Sequence, residues 1–563
     1  MSIPPLRSAA WFEAPDLYGW TRNAAIQGQG LCRESYAGKP VIGIANSWSE
    51  LTHCNIHLRS LAEAVKRGVW QAGGVPFEFP VMSLGEFNIR PTAMYLRNLM
   101  SMELEESILG NPLDGVVLLA GCDKTTAAML MGMASANLPS VLVTGGPQLN
   151  VHWRGETLGS CTDCRRYQTE LRAGRISASE WLELQSRMVR SPGHCMTMGT
   201  ASTLAILAEV LGVALPGNGD IPAADSGRLR LAESAGRVAV DAVRQQRLPS
   251  KLLTQKSFDN AIRVLHAIAG STNAILHLIA LAGRVGISLP LSRLDELSRS
   301  TPTLANVKPT GQYLLEDFHY AGGTAALCRE IAKLLHLETP TVTGQSLGEV
   351  IESARIQNAD VIRSLERPMY ADGGLAVLTG SLAPRGAVIK RSAASAHFLR
   401  HLGRAVVFEN HEDLLARIDS PDLDVRAEDI LVMKDAGPLG GPGMPEWGLL
   451  PIPAKLLKQG VRDMVRISDA RISGTAFGTV IVHVTPESAV GGPLAAVQNG
   501  DEIELDVEAR RLELRVDATE VQRRLHGRTA TRNVPERGFA RLYAQHILQA
   551  DQGCDFDFLV GRL

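Results

Sequence analysis

Along the early part of the chain, short apolar runs alternate with segments of helical period. PVIGIAN at 40–46 precedes HLRSLAEAVKRGVWQAG at 57–73, DGVVLLAG at 114–121 precedes TTAAMLMGMASAN at 125–137, and SVLVTGG follows at 140–146. This rhythm predicts β–α units and a parallel sheet with helices on both faces. In such a sheet, ligands bind in the crevice beyond the carboxyl ends of the strands. After about residue 370 the pattern turns to short β-branched runs: AVVFEN (405–410), DILVMKD (429–435), DMVRISD (463–469), TVIVHVTP (479–486), DEIELDV (501–507) and RLELRVD (511–517). Strands recurring between Gly and Pro turns predict a β-barrel or sandwich with a few helices. The change of texture falls near ADGGLAVLTGSLAPRGAVIK at 371–390, and 519–550 reads as helical again. The expected fold is therefore α/β: an N-terminal parallel-sheet α/β/α domain over 1–370 and a C-terminal β-barrel-like domain with flanking helices over 371–563. No internal repeat or low-complexity stretch interrupts it.

A chain of 563 residues exceeds what one hydrophobic core supports, in keeping with that division. The 57 basic and 59 acidic residues are interspersed and give a net charge of −2, so no basic stripe exists for nucleic acid or an anionic membrane. The start, MSIPPLRSAAWFEAPDLYGW, lacks the basic and apolar regions of a signal peptide, and no apolar run reaches membrane-spanning length. A cytoplasmic location is expected, with neither nucleic acid nor membrane as partner. Eight cysteines are too sparse for a disulfide scaffold, and a reducing compartment favours free thiols or metal ligands.

Three of those cysteines stand apart. Cys54 in ELTHCNIHLR, Cys122 in LLAGCDKTTAAML and Cys195 in SPGHCMTMGTAST sit beside polar or Gly residues at element ends. Cys122 follows a strand and opens a helix, and Cys195 precedes the helical pattern MTMGTASTLAILAEVLG; helix N-termini favour thiolates. A cysteine alone is usually a small buried hydrophobe, but three in one crevice indicate an iron–sulfur cluster one protein ligand short. An iron with an open position can act as a Lewis acid toward a substrate hydroxyl. Cys161 and Cys164 form a CxxC with no second half and no thioredoxin-type frame, and are read as a decoy. Glu86, Asp123 and Glu446 are carboxylates in Gly- or Pro-containing loops, suited to a hard divalent cation. Lys124 beside Asp123 is out of place in a metal site unless its amine is carbamylated into an anionic oxygen ligand. Ser473 and Thr475 lie in the Gly-punctuated loop ISDARISGTAFGT. A serine there is either a turn residue or a base whose hydroxyl is acidified by its surroundings.

Taken together, NSWSELTHCNIHLR, MSLGEFNIRPTAM, GCDKTTAAMLMG, GHCMTMGTAST, GSTNAILHL, GGLAVLTGSLAPRGAVIK, GPGMPE and GGPLAAVQNGDEI resemble the dihydroxy-acid dehydratase / 6-phosphogluconate dehydratase family over nearly the whole chain. The resemblance implies dehydration of a 2,3-dihydroxy acid to a 2-keto-3-deoxy acid with an iron–sulfur cluster and Mg²⁺. It implies that Cys54, Cys122 and Cys195 hold the cluster, that Glu86, Asp123, carbamylated Lys124 and Glu446 hold Mg²⁺, and that Ser473 is the base with Thr475 as its hydroxyl neighbour. SDARISGTAFG, PEWG after GPGM, YLLEDFHYAGG at 313–323 and CTDCRR are similar to the sugar-acid branch of the family, whose members resemble 2Fe-2S enzymes. A 4Fe-4S cluster needs the same three ligands. The expected substrate is a sugar acid such as L-arabinonate, the expected assembly a homodimer or homotetramer. The alternatives are a dihydroxy-acid dehydratase of branched-chain amino-acid synthesis, an electron-transfer protein with Cys161 or Cys164 as fourth ligand, a zinc hydrolase built on His53, His57 and the CxxC, and a non-catalytic binding protein.

Overall fold

The computed structural model describes residues 5–526 and 534–561. Four parallel strands, β1 (Val41–Asn46), β2 (Val75–Pro80), β3 (Gly115–Ala120) and β4 (Ser140–Thr144), form a sheet in the order β2-β1-β3-β4. Every residue of β1, β3 and β4 is buried, which requires cover on both faces and explains why these strands read as continuous apolar runs. The edge strand β2, VPFEFP, is half-exposed and carries two prolines that an edge tolerates, so it lacks the apolar signal of its neighbours. The helix Leu58–Gln71 packs on Ser226–Gln245 through Gly68 and Gly236. A Cβ at Gly68 would collide with the Glu233 carbonyl, and one at Gly236 with that of Val65. The helices Thr200–Val210, Gln255–Ala267 and Asn273–Arg284 add a buried layer. A hairpin of β5 (Val151–Trp153) and β6 (Glu156–Leu158) precedes the helix Ser160–Arg172.

The C-terminal half forms one mixed sheet of eight strands: β7 (Ala376–Leu378), β8 (Gly386–Ile389), β9 (Arg400–Phe408), β10 (Ile430–Met433), β11 (Arg466–Ser468), β12 (Val480–Thr485), β13 (Glu502–Asp506) and β14 (Arg511–Leu514). The order is β14-β13-β9-β10-β11-β12-β8-β7, with β9 to β12 parallel and the flanking strands antiparallel. Its two edges meet where Thr379 N donates to Arg510 O and Leu512 N to Thr379 O, both at 2.9 Å. That nearly closes the barrel and leaves little free edge to pair with another chain. Ile389, Val432, Ile467, Ile481, Leu505 and Leu512 fill its interior. The segment 371–390, where the sequence texture changes, holds β7 and β8. The helical reading of 519–550 matches Ala518–His526 and Gly538–His546, while 527–533 lie outside the described residues.

A buried clasp ties the end of the chain to the N-terminal half. Arg284 Nε donates to Asp555 Oδ2 at 2.6 Å, both side chains being buried, and Arg97 Nη2 donates to the carbonyls of Gly553 and Cys554 at 2.9 and 2.6 Å. Among the described residues no helix is long and apolar enough to cross a membrane.

Candidate active site

The three singled-out cysteines arise from the carboxyl side of the N-terminal sheet. Cys54 sits in a single 3₁₀ turn, His53–Asn55, beyond β1. Cys122 follows β3 after the single residue Gly121 and is the N-cap of the helix Asp123–Ala136. Asn55 stitches the two loops: its Oδ1 accepts from Cys122 N at 3.0 Å and its Nδ2 donates to Ser47 O at 2.9 Å. Gly121 is required there, because a Cβ would collide with the Cys54 carbonyl. Cys195 lies beyond β4, next to His194, whose backbone pairs with Gly146 and Gln148 at 3.0 and 2.9 Å.

The expectation that Cys195 precedes a helix at once is corrected. That helix runs Thr200–Val210 with Gly199 as N-cap. Residues 196–198 are drawn into other pairings, Leu315 N donating to Met196 O and Met198 N to Lys308 O at 2.9 and 2.8 Å. The helix-dipole argument therefore holds for Cys122 and not for Cys195.

Cys54 and Cys122 share a hydrogen bond, and that bond, burial and the neighbouring thiols push the Cys54 thiol well up. Cys195 Sγ stands 2.9 Å from Cys161 Sγ, and this contact with burial likewise raises its pKa. The CxxC divides: Cys161 faces the cysteine cluster, while Cys164 packs in an apolar group with Trp153 and Tyr167 and is raised by burial. Thiols so crowded repel one another once ionised. A cationic group bound among them removes that penalty.

Beside the thiols lies a charged pole. Lys124 Nζ is 2.5 Å from Asp123 Oδ2 and 3.2 Å from both Glu86 Oε2 and Glu446 Oε1, and its side chain is fully buried. Burial and Arg471 act to neutralise this ammonium, but Asp123, Glu446 and Glu86 outweigh them and raise its pKa. Glu446 comes from the Gly–Pro loop after β10 and also accepts from Asn273 Nδ2 at 2.9 Å and Arg471 Nη1 at 3.1 Å. Burial alone would raise its pKa, yet Lys124, Arg471 and Arg165 hold it down to about 2. Ser473 and Thr475 come from the loop after β11; Ser473 Oγ is 2.9 Å from Thr475 Oγ1, and Thr475 O accepts from Thr162 Oγ1 at 2.8 Å. Gly474 between them is wedged so closely that a Cβ would lie 2.5 Å from Ser271 Oγ.

One cavity of about 290 Å³ is lined by Cys54, Glu86, Cys122, Asp123, Cys195, Glu446, Ser473 and Thr475, with Lys124 buried beneath. All nine residues picked from the sequence thus meet. Other wall residues were missed, among them Arg165 and His194. Arg165 is half-buried, its side chain makes no hydrogen bond or ion pair among the described residues, and it also lines a neighbouring cavity of about 430 Å³. His194 gives Nδ1 to the Cys195 carbonyl region at 3.1 Å, leaves Nε2 buried without a partner, and is pushed down to about 4 by burial, hence neutral. The sequence signals were present, CTDCRR and GHC, but nothing in them tells a wall residue from a surface one.

Among the described residues, no three or more His, Cys, Asp or Glu side chains stand at metal-holding distances, and the Lys124 ammonium takes the centre of the carboxylates. The donor chemistry nevertheless fits two groups: three crowded thiols for a cluster, and three carboxylates converging on one cationic point for a divalent ion.

Family models for the dihydroxy-acid/6-phosphogluconate dehydratase N-terminal and C-terminal regions match residues 39–350 and 360–554. The chain belongs to the dihydroxy-acid/6-phosphogluconate dehydratase family. It is 51% identical to an L-arabonate dehydratase of Azospirillum brasilense over 99% of this chain and 97% of that one. It is 48% identical to a 6-deoxy-6-sulfo-D-gluconate dehydratase of Pseudomonas putida over the same shares, 99% and 97%. Against a dihydroxy-acid dehydratase of Caldanaerobacter subterraneus the identity is 37%, over 92% of this chain and 94% of the other. The protein is a dehydratase, a hydro-lyase, of a family that uses an iron–sulfur cluster.

Proposed function

We propose that this dehydratase converts a sugar acid, L-arabinonate or a related aldonate, into the 2-keto-3-deoxy acid. The observation that carries the reading is the single cavity in which a hydroxyl pair, Ser473 and Thr475, faces a carboxylate pole and a thiol cluster. The higher identity to sugar-acid dehydratases, 51% against 37% for a dihydroxy-acid dehydratase, supports the substrate class.

Cys54, Cys122 and Cys195 would hold the cluster, 2Fe-2S by resemblance with 4Fe-4S needing the same ligands, and Glu86, Asp123 and Glu446 with carbamylated Lys124 would hold Mg²⁺. When bound, the two groups supply Lewis acidity at the departing C3 hydroxyl and at the carboxylate and C2 hydroxyl. Ser473 takes the C2 proton, and Thr475 fixes the direction of its Oγ. Arg165, whose side chain makes no hydrogen bond or ion pair among the described residues, offers a planar pair of donors to an oxygen-rich end of the substrate. The enol left behind tautomerises to the keto acid. We place this activity in the cytoplasm, in a homodimer or homotetramer. Leu17, Tyr18 and Trp20, each at least 70% exposed on the helix Leu17–Gly28, support an assembly that covers them.

The test is keto-acid formation by anaerobically purified, Mg²⁺-supplied protein on L-arabinonate, D-xylonate, D-fuconate, D-gluconate and 2,3-dihydroxyisovalerate. Preference for a sugar acid supports the reading, and preference for dihydroxyisovalerate sinks it. One contact favours a second reading: Cys161, 2.9 Å from Cys195, is a fourth thiol that could close the cluster for electron transfer. Iron and sulfide present, with no product from any acid, would favour that alternative.

A further inference from the structure

Against the Ser473 loop lies a buried cation for which the reaction above has no use. Lys390 directly follows β8, and only 8% of it is exposed. Its Nζ makes one hydrogen bond, a long one of 3.4 Å to the carbonyl of Gly474, the residue between Ser473 and Thr475. Among the described residues no carboxylate lies within ion-pairing distance of it. The charged groups on the elements packed around it are engaged elsewhere: Asp372 with Arg391, Asp463 with Arg466 and Thr479, and Glu446 with Lys124 and Arg471. Burial is the sole influence on its pKa and pushes it down to about 7. An unpaired buried lysine is strongly destabilising when charged, and an apolar residue of similar volume would relieve that.

What the amine faces gives it a use. Lys390, Ser473 and Thr272 line one small space of about 10 Å³. That is close to the least volume that admits a water molecule, and a water there needs polar partners. Partners are available: Thr272 Oγ1 is buried with no hydrogen-bond partner among the described residues, and Lys390 and Ser473 are residues of the same wall.

We propose that Lys390 holds the proton of Ser473 during turnover, passing it through a water lodged between Lys390, Thr272 and Ser473. The inference rests on the reading of Ser473 as the base. In the resting pair the serine is a hydroxyl and the lysine a neutral amine. The hydroxyl proton moves to Nζ, giving a serine alkoxide and an ammonium; the alkoxide then takes the C2 proton of the substrate. The C3 hydroxyl leaves as hydroxide, the ammonium proton travels back through the serine to it, and the substrate has lost one H and one OH as water. Serine hydroxyl and lysine amine are both restored, and no outside reagent is consumed. Lys390 never touches the substrate; it acts through Ser473.

The neutral amine is the proton acceptor, so kcat of the loaded wild-type enzyme should rise with pH through about 7. Lys390→Met, with iron and Mg²⁺ contents equal to wild type, should lower kcat about 100-fold, leave KM within about 3-fold, and lose that rise. Lys390→Arg keeps the charge but cannot lose its proton. It should be as impaired as the Met variant, which separates proton holding from a field effect. If either Lys390 variant is insoluble, Thr272→Val decides: a several-fold lower kcat with a displaced pH profile supports the water path, and a wild-type rate and profile overturn it. A Lys390→Met enzyme with wild-type kcat and profile overturns the inference outright. Ser473→Ala run alongside separates the two claims. An inactive Ser473→Ala beside a fully active Lys390→Met removes only the role of Lys390, whereas an active Ser473→Ala removes the serine base and the proton path with it.

Discussion

The two poles of the cavity are built differently. The thiol pole comes entirely from loops at the carboxyl ends of one parallel sheet, braced locally by Asn55 and Gly121. The charged pole is a joint: Glu86, Asp123 and Lys124 come from the N-terminal half, and Glu446, Arg471 and Ser473 from barrel loops hundreds of residues away. The first pole is intrinsic to one sheet. The second exists only while the two halves are docked, and its buried Lys124 and Arg471 are compensated by a carboxylate from the barrel. Cluster retention and turnover should therefore be separable by mutation.

The largest separation is expected at Ser473. Ser473→Ala should lower kcat by about 1,000-fold while iron and sulfide stay at wild-type levels, because no thiol contacts depend on it. Cys122→Ser should do the opposite first, losing iron and sulfide and with them activity; a Cys122→Ser protein with full iron content would end the assignment of the thiol pole. Next comes Arg165, which lines the cavity with no hydrogen bond or ion pair to its side chain among the described residues. A charge-assisted hydrogen bond to substrate contributes about 2 kcal/mol, so Arg165→Gln should raise KM about 30-fold with little change in kcat or iron content. An unchanged KM would place the substrate's oxygens elsewhere in the cavity.

The contrast between the poles also explains what could be read in the sequence. Strands such as GVVLLA and helices such as the one opened by Cys122 are legible because their periodicity is local and their burial complete. β2 was not, since its prolines and half-exposure erase the apolar run, nor were β7 and β8, short strands inside a segment read as a change of texture. The Cys195 helix was misjudged because residues 196–198 follow a helical pattern yet give their backbone to Lys308 and Leu315, distant partners that no window along the chain can see. For the site, the cysteines announced themselves by residue type, whereas Glu446 and Ser473 were marked only by their Gly- and Pro-punctuated loops and took their roles from the family resemblance. Lys390 and Arg165 were silent because what marks them, a missing partner, is a property of the packed structure alone.

A stability measurement probes the docking itself. Asp555 and Arg284 are both buried and hold the end of the chain against the N-terminal half, so Asp555→Ala removes the hydrogen-bonded carboxylate of a buried guanidinium and leaves it only Glu105, at 3.8 Å. The loss should be about 3–5 kcal/mol in denaturant unfolding. Enzyme activity should fall in denaturant before iron is released, since the joint pole opens ahead of the thiol pole; simultaneous loss would make the two poles one cooperative unit.

The smallest effect is expected in acid. Glu446 is held down to about 2 in the folded protein, below the ordinary carboxylate value, so it binds protons less readily folded than unfolded. Its contribution to stability is then fully present above the unfolded pKa and drains away as pH falls through the interval down to about 2. Glu446→Gln removes that titration, so the mutant's stability should depend less on pH across this window while lying below wild type above it. Parallel stability curves for the two proteins would mean that Lys124 and Arg471 find compensation without Glu446, and that the joint between the halves is not held by charge.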